Sequence, residues 1–316
     1  MIDYGISKLD FVKFNCEVAG WGSTICLLAT KMLRRIKSVG LRALREIASL
    51  PLRAVGNVQL RQALEKLSAS MISDVELSDG SLRFMTPTPL LQARAGSALS
   101  KEPDTIQWID RFEPSDVFWD VGANVGVFSL YAARQRGVQV LAFEPSADNY
   151  MVLCKNIEMN ALERRIVPYC IALAGSTELG VLNLSSRQIG AALHQFGERG
   201  EISRYCNGAS TTSAQGMVGF TIDDFILQFR PSFPTHLKLD VDGLESQILQ
   251  GARQTLHDPR LQSIMAELSV SDQAEHNQTI ARLADAGFDL VLRGEIQVAG
   301  GEAAANHFFA RTRVSS

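Results

Sequence analysis

The chain has 316 residues, 46% of them hydrophobic and 21% charged, with a formal net charge of -3 and an isoelectric point near 6.0. That composition belongs to a globular protein and excludes a disordered or collagen-like chain. The slightly acidic balance argues against a general nucleic-acid binder, so no nucleic-acid partner is expected.

The longest early uncharged run, Val18 to Thr30, has 13 residues, short of the ~20 that a membrane-spanning helix needs. Asp3, Asp10 and Glu17 precede it and no basic segment opens the chain, so it does not read as a signal peptide. The expectation is a soluble, cytoplasmic protein. Cys16, Cys26, Cys154, Cys170 and Cys206 are scattered, with no C-x-x-C pair, and the histidines form no H-x-x-x-H. Neither a disulfide framework nor a sequence-local metal site is expected.

Two regions differ in texture: a basic helical extension over residues 1–75 and an α/β domain over residues 76–316. In the first, Ile25, Ala29, Met32, Ile36, Val39, Ala43 and Ile47 recur at helical steps among Lys31, Arg34, Arg35, Lys37, Arg42 and Arg45. Residues 23–49 thus suit peripheral contact with an anionic membrane or an oligomeric partner. Packing of the apolar stripe on the following domain competes with both. Val75 to Phe84 predicts a hairpin turning at Asp79-Gly80.

Strand and helix then alternate. Strands are predicted at Val117–Val121, Val138–Phe143, Ile166–Leu173, Thr235–Asp240 and Ser263–Leu268, and helices at Gly126–Gln135, Ala147–Met159, Leu244–Leu256 and Gln273–Ala286. Late strands at Phe288–Arg293 and His307–Arg311 are joined without a helix, which implies an antiparallel closing pair. Residues 174–216 interrupt this rhythm with a polar insertion, one extra strand at Val181–Leu184, and the character of a substrate cover. The fold class is α/β: a doubly wound, mostly parallel Rossmann-like sheet with an antiparallel C-terminal hairpin, preceded by the helical extension.

The chemistry concentrates at strand ends. Asp120-Val121-Gly122-Ala123-Asn124-Val125-Gly126 occupies the first strand-to-helix turn, where ligands of such sheets bind. Gly122 and Gly126 let the backbone approach a ligand closely. Asn124 stands where a dinucleotide fingerprint has its second glycine, and Asp120 suits a ligand carrying positive charge. Glu144, ending the second strand, is placed to accept both hydrogens of a ribose diol. A glycine turn with a ribose acid is the skeleton of a nucleoside-cofactor site. Lys238, inside a central strand, needs a carboxylate partner, with Glu267, Asp223 and Asp224 as the candidates.

At this point the chain resembles the FkbM-type methyltransferases, S-adenosylmethionine-dependent enzymes of Rossmann-like fold. The resemblance runs from about Arg94 to Phe309. It rests on Lys101 to Thr105, Asp120 to Gly126, Phe143-Glu144-Pro145, Asn156 to Asn160, Thr221 to Asp224, Lys238 to Glu245, Leu249 to Ala252, Glu267 and Asn306 to Phe309. It implies methyl transfer from S-adenosyl-L-methionine, commonly to oxygen, with a small-molecule or glycan acceptor. Asp120, Gly122, Asn124 and Gly126 would surround the methionine part of the cofactor and Glu144 its ribose. Ile171 and Ala172 would border the adenine. Asp240 and Glu267 would be the catalytic carboxylates, with His194 a third candidate base. The competing readings are an NAD-dependent oxidoreductase and a non-catalytic Rossmann-like binding protein in a glycan assembly.

Overall fold

The computed structural model describes residues 71–199, 213–299 and 302–311. The basic stretch at residues 23–49 and most of the predicted extension lie outside the described residues. The first strand begins at Ile72 and runs across the predicted domain boundary after residue 75.

An antiparallel hairpin opens the described chain, β1 (Ile72–Leu77) and β2 (Gly80–Met85), paired from Leu77 with Gly80 outward. The turn is therefore Ser78-Asp79, one residue earlier than predicted, with Gly80 opening the return strand. Two helices follow, α1 (Pro89–Gly96) and α2 (Pro103–Ile109). Each has proline in its first turn, where its missing N–H costs nothing. Thr88 caps α1 by accepting the Leu91 N–H.

The central sheet comprises β3 (Val117–Val121), β4 (Gln139–Phe143), β5 (Ile166–Tyr169), β10 (His236–Leu239), β11 (Ser263–Ser269), β12 (Phe288–Arg293), β13 (Gln297–Ala299) and β14 (Glu302–Arg311). Its order is β12-β14-β11-β10-β3-β4-β5, with β13 paired to β14. Strands β11 through β5 are parallel. Strand β14 inserts antiparallel between β11 and β12, so the predicted antiparallel ending is present. The chain runs outward from β3 through β4 to β5 and later returns to β10 on the other side of β3. That reversal opens a crevice at the carboxyl ends of β3 and β10.

Helices cover both faces. On one, α2, α3 (Val127–Tyr131) and α4 (Ala147–Met159) bury Trp108, Leu130, Leu153 and Ile157 against Phe118, Val140 and Ala142. On the other, α5 (Ile222–Phe229), α6 (Glu245–Gln250) and α8 (Gln273–Asp285) bury Phe225, Ile248 and Leu283 against Trp119, Leu141 and Leu239. The strand sequences are apolar on both sides because both sides are covered. The hairpin is pinned to α4 by asparagines: Asn156 accepts from Met85 N and donates to Val125 O, and Asn160 grips both backbone groups of Arg83.

Three predicted elements are subdivided. The helix expected over Leu244–Leu256 is α6 and α7 (Arg253–His257). The chain breaks at Gly251, where a Cβ would stand 2.9 Å from Ala174 O, and the new N-terminus is capped by Asp223, which accepts from Gln254 N and Thr255 N. The helix expected after Gly126 ends at Tyr131 and continues as a π turn to Arg136. The strand expected over Ile166–Leu173 divides into β5 and β6 (Ala172–Leu173). Strand β6 joins a second sheet with β7 (Glu178–Leu184), β8 (Gln195–Gly197) and β9 (Ser213–Phe220), in the order β6-β9-β7-β8. The polar insertion is thus partly a sheet rather than a loop with one extra strand.

At the amino ends of the strands, His236 stacks on Phe112 at 3.9 Å. Its Nδ1 meets Ser263 Oγ at 2.7 Å and its Nε2 meets Asp116 at 3.0 Å. Trp108 Nε1 donates to the same Ser263 oxygen. These contacts tie α2 to β10, β11 and the residue before β3. Among the described residues no helix is long and apolar enough to cross a membrane.

Candidate functional site

The turn after β3 rests directly on the end of β10. Gly122 has φ +87°, and a Cβ there would lie 1.8 Å from Asp240 O, so no side chain is tolerated. Its N–H and that of Ala123 both donate to Phe143 O at 3.0 Å, tying the turn to β4. Gly126 has φ +88° and starts α3. A Cβ on it would meet Leu153 and Leu130 within 2.6 Å, so this glycine serves close packing of the helix. Asn124 between them is left-handed at φ +49°, a conformation asparagine accepts more readily than most residues.

Asn124 joins three parts of the site. Its N–H donates to Glu144 Oε2 at 2.8 Å, and its Nδ2 donates to Ala191 O at 3.1 Å. Its Oδ1 is buried without a hydrogen-bond partner. Glu144 also accepts the Ser146 N–H at 2.8 Å, leaving each carboxylate oxygen with lone-pair capacity to spare. Burial pushes the Glu144 carboxyl up to about 7 despite these amides.

These residues border a cavity of about 340 Å³ at the carboxyl ends of the strands. Of the residues singled out in the sequence, Gly122, Asn124, Glu144, Ile171, Ala172, His194, Asp240 and Glu267 line it. Asp120 and Gly126 are not among its lining residues. Asp120 is buried beneath the turn and accepts from Ser129 Oγ at 2.5 Å. The insertion roofs the cavity with Ala191, Leu193, His194 and Phe196, as a substrate cover should. It is latched there: Ala191 O accepts from Asn149 as well as Asn124, and the Leu193 N–H donates to Asp242 Oδ2 at 2.6 Å.

Lys238 pairs with neither Glu267, Asp223 nor Asp224. Its Nζ donates to Asp240 Oδ2 at 2.6 Å. Residues two apart on a strand project to one face, and Asp120 is the cross-strand neighbour of Lys238 in register. The lysine therefore sits between two carboxylates on that face, with its ammonium 4.7 Å from the Phe128 ring centroid. Asp223 is occupied capping α7, and Asp224 bonds Thr177 and the Thr221 cap.

Asp240, Asp242 and Glu267 present carboxylate oxygens within 4.8 Å of one another, close enough for one cation to bridge them. Burial raises Asp240, but the charge and hydrogen bond of Lys238 outweigh it and hold the carboxyl below its usual range. Glu267 is pushed up to about 9, first by the charge of Asp240 and then by burial. Asp242 rises to about 6, mainly through burial. Glu245, which accepts from Val241 N and Gly243 N, rises to about 8 for the same reason. The cluster thus holds one firmly ionised carboxylate beside one that keeps its proton at neutral pH.

Sequence reasoning missed Asp242, Arg94 and Lys101 as lining residues. Asp242 follows Asp240 by two positions, yet it departs from strand geometry at φ +58°, which no periodicity signals. Arg94 and Lys101 precede the sheet, and only the fold brings α1 over the turn.

A family model and known proteins match the chain. The family model described as "Methyltransferase FkbM domain" matches residues 120–290. The chain is 28% identical over 210 residues to the 31-O-demethyl-FK506 methyltransferase FkbM of Streptomyces tacrolimicus, covering 60% of this chain and 78% of that protein. It is 26% identical over 162 residues to the hexuronic acid methyltransferase AglP of Haloferax volcanii, covering 50% and 59% respectively. Among solved structures, M. jannaschii TYW2 in complex with AdoMet aligns at TM-score 0.40 and 12% identity, over 77% of this chain and 87% of that one.

Proposed function

The chain belongs to the FkbM methyltransferase family, and on that premise we propose that it methylates an oxygen of a sugar, glycan or related small-molecule acceptor. The cofactor of such an enzyme is S-adenosyl-L-methionine, which supplies an electrophilic methyl group when bound. The cavity fits that group: its walls hold a spare-capacity carboxylate at Glu144, an orphaned buried acceptor at Asn124 Oδ1, and a backbone stripped of side chain at Gly122.

The observation that carries the reading is the sharing of one cavity by the Glu144 end and the Asp240–Glu267 end. In it Glu144 would accept the ribose hydroxyls, Ile171 and Ala172 would border the adenine, and the Gly122–Asn124 turn would hold the methionine part. Asp120, which is beneath the turn, fixes that turn through Ser129 and Lys238 rather than touching the ligand.

Transfer of a methyl group from sulfur to an alcohol oxygen is an in-line displacement that depends on alignment and exclusion of water. The latched 191–196 roof supplies the exclusion. An alcohol is a weak nucleophile, so a base in reach of its proton assists. Glu267 takes this role: it is protonated in the free protein, and a positive charge arriving beside it favours its carboxylate form. Asp240, already ionised, supplies negative charge next to the reacting end. The 31-O-demethyl-FK506 and hexuronic acid named for the two relatives support a hydroxyl-bearing acceptor.

The test is calorimetric titration with S-adenosylhomocysteine, with NAD as the control, followed by methyl incorporation into a panel of sugars and glycosides. Saturable binding of the first ligand alone and label in an ether-linked product are expected. Binding of NAD alone, or methylation confined to nitrogen, overturns the reading.

A further inference from the structure

A smaller space of about 70 Å³ adjoins the main cavity, and the two share Arg94, Lys101, Gly122, Asn124 and Asp240. Glu144, Ile171 and Ala172 border only the larger one. The smaller space, bordered by Arg94 and Lys101, is therefore a part of the site that neither the ribose acid nor the adenine wall borders.

The charges in that part do not balance internally. Arg94, on α1, is tethered by its Nε to Gly190 O at 2.6 Å. Among the described residues it forms no ion pair, which leaves its terminal nitrogens unmatched by a carboxylate. Lys101 is 3.6 Å from Glu102 Oε1 with its side chain more than half exposed. Through its other oxygen, Oε2, Glu102 accepts from Thr105 Oγ1 and Asn306 Nδ2. Asp240 is matched by Lys238. Arg94 thus borders the site with no anion of its own and Lys101 with only its Glu102 contact, and both act on Asp240 and Asp242 through space.

We propose that Arg94 and Lys101 hold the carboxylate of the cofactor's methionine moiety, with Asp240 facing its ammonium. The assignment rests on the cofactor reading given above and extends it to residues outside the strand-end motifs. The ligand's adenosine is assigned to the Glu144 end, so its amino-acid end falls where these cations are. A guanidinium matches a carboxylate with paired N–H donors, and an ammonium requires a neighbouring negative charge such as that of Asp240. The contact joins α1, the 190–194 segment and the ligand, so the roof closes on the cofactor itself.

The experiment compares binding of S-adenosylhomocysteine with that of 5′-methylthioadenosine, which keeps the adenosine and lacks the amino acid. Both are titrated calorimetrically into the wild-type protein and into Lys101→Ala, Arg94→Ala and the double variant. The expected result is a wild-type preference for S-adenosylhomocysteine that shrinks about tenfold in each single variant, with 5′-methylthioadenosine affinity unchanged. Lys101→Ala is the stricter probe, because Arg94→Ala also frees the Gly190 tether. Unchanged S-adenosylhomocysteine affinity in both single variants overturns the proposal and assigns the cations to an anionic acceptor. Equal weakening of both ligands also overturns it, because that pattern reports a disturbed roof. A wild-type protein that binds both ligands equally refutes the carboxylate contact and leaves the cofactor reading standing. One that binds neither refutes the cofactor reading itself.

Discussion

Lys238 on β10 and Asp240 just past its end are joined by a 2.6 Å hydrogen bond between a fully buried ammonium and the carboxylate that borders the cavity. The same ammonium has Asp120 as its cross-strand neighbour. One lysine therefore balances the acid under the glycine turn and the acid at the reacting end. A conformational change in either strand end is felt at both.

The two partners are not equivalent. Asp240→Asn leaves Lys238 still facing Asp120, whereas Lys238→Met leaves a buried carboxyl and a half-buried one with no cation between them. Removing one member of a buried pair costs about 3–5 kcal/mol, and Lys238→Met is expected at the upper end with Asp240→Asn below it. Urea unfolding of both variants measures the order. If Asp240→Asn proves the more destabilised, Asp120 does not share the lysine as the geometry indicates.

Glu144→Gln replaces one acceptor oxygen with an amide that donates. One of its two faces then opposes either a backbone N–H or a ribose hydroxyl. A hydrogen bond to a charged group contributes about 1.5–3 kcal/mol, so S-adenosylhomocysteine affinity is expected to fall about tenfold or more. Calorimetry gives the number directly, and an unaltered dissociation constant would remove Glu144 from the ribose.

Gly122→Ala tests the contact between the turn and β10. The added methyl would sit 1.8 Å from Asp240 O at a φ of +87°, so the turn must lift away from the strand or the strand end must move. The expected outcome is a fall in melting temperature together with loss of cofactor binding. Wild-type behaviour in both measurements would show that the turn is not seated on Asp240.

Much of this arrangement was legible in the sequence because both causes are local. Apolar runs at Val117–Val121 and Phe288–Arg293 correspond to strands, and α4 has its predicted limits at Ala147 and Met159. Glu144 and the glycine turn were found because chemistry and chain position coincide there. What escaped depends on approach of distant segments. Gly251 reads as helix, yet the chain breaks there, where it packs so closely on Ala174 O that no side chain fits. The partner of Lys238 lies on its own strand, whereas the acids considered for it are committed elsewhere, Asp223 and Asp224 to helix ends. Ile166–Leu173 is one apolar run, but its last residues pair with β9, which arrives from beyond the insertion. Arg94 reaches the cavity only because asparagines on α4 hold the hairpin and α1 follows from it.

The buried acids make stability depend on pH in a definite direction. Glu144, Asp242, Glu245 and Glu267 have folded-state carboxyls raised to about 7, 6, 8 and 9. A group raised on folding favours the folded state fully below its unfolded value and loses that contribution as pH climbs through its folded value. The melting temperature of the ligand-free protein is expected to decline from about pH 5 to about pH 9. A scan that rises or stays flat across that window would mean that these carboxyls are not held protonated.

Cofactor binding should then release protons, and the amount should depend on the charge at sulfur. S-adenosylmethionine brings a sulfonium where S-adenosylhomocysteine brings a neutral thioether, while the ribose and amino-acid contacts are shared. Ribose donors to Glu144 favour its ionised form with either ligand. Glu267, at about 9 in the free protein, is the group that answers to the sulfonium, because a nearby positive charge stabilises its carboxylate. At pH 7.5 the methyl-bearing ligand is expected to release more protons than the demethylated one. The difference should vanish in Glu267→Gln. Titrations in phosphate and in Tris, whose ionisation enthalpies differ, report the proton count as a difference in apparent heat. Equal counts for the two ligands in the wild-type protein would place Glu267 away from the sulfur and remove it as the base. A difference confined to the wild type would locate the proton acceptor before any acceptor substrate is known.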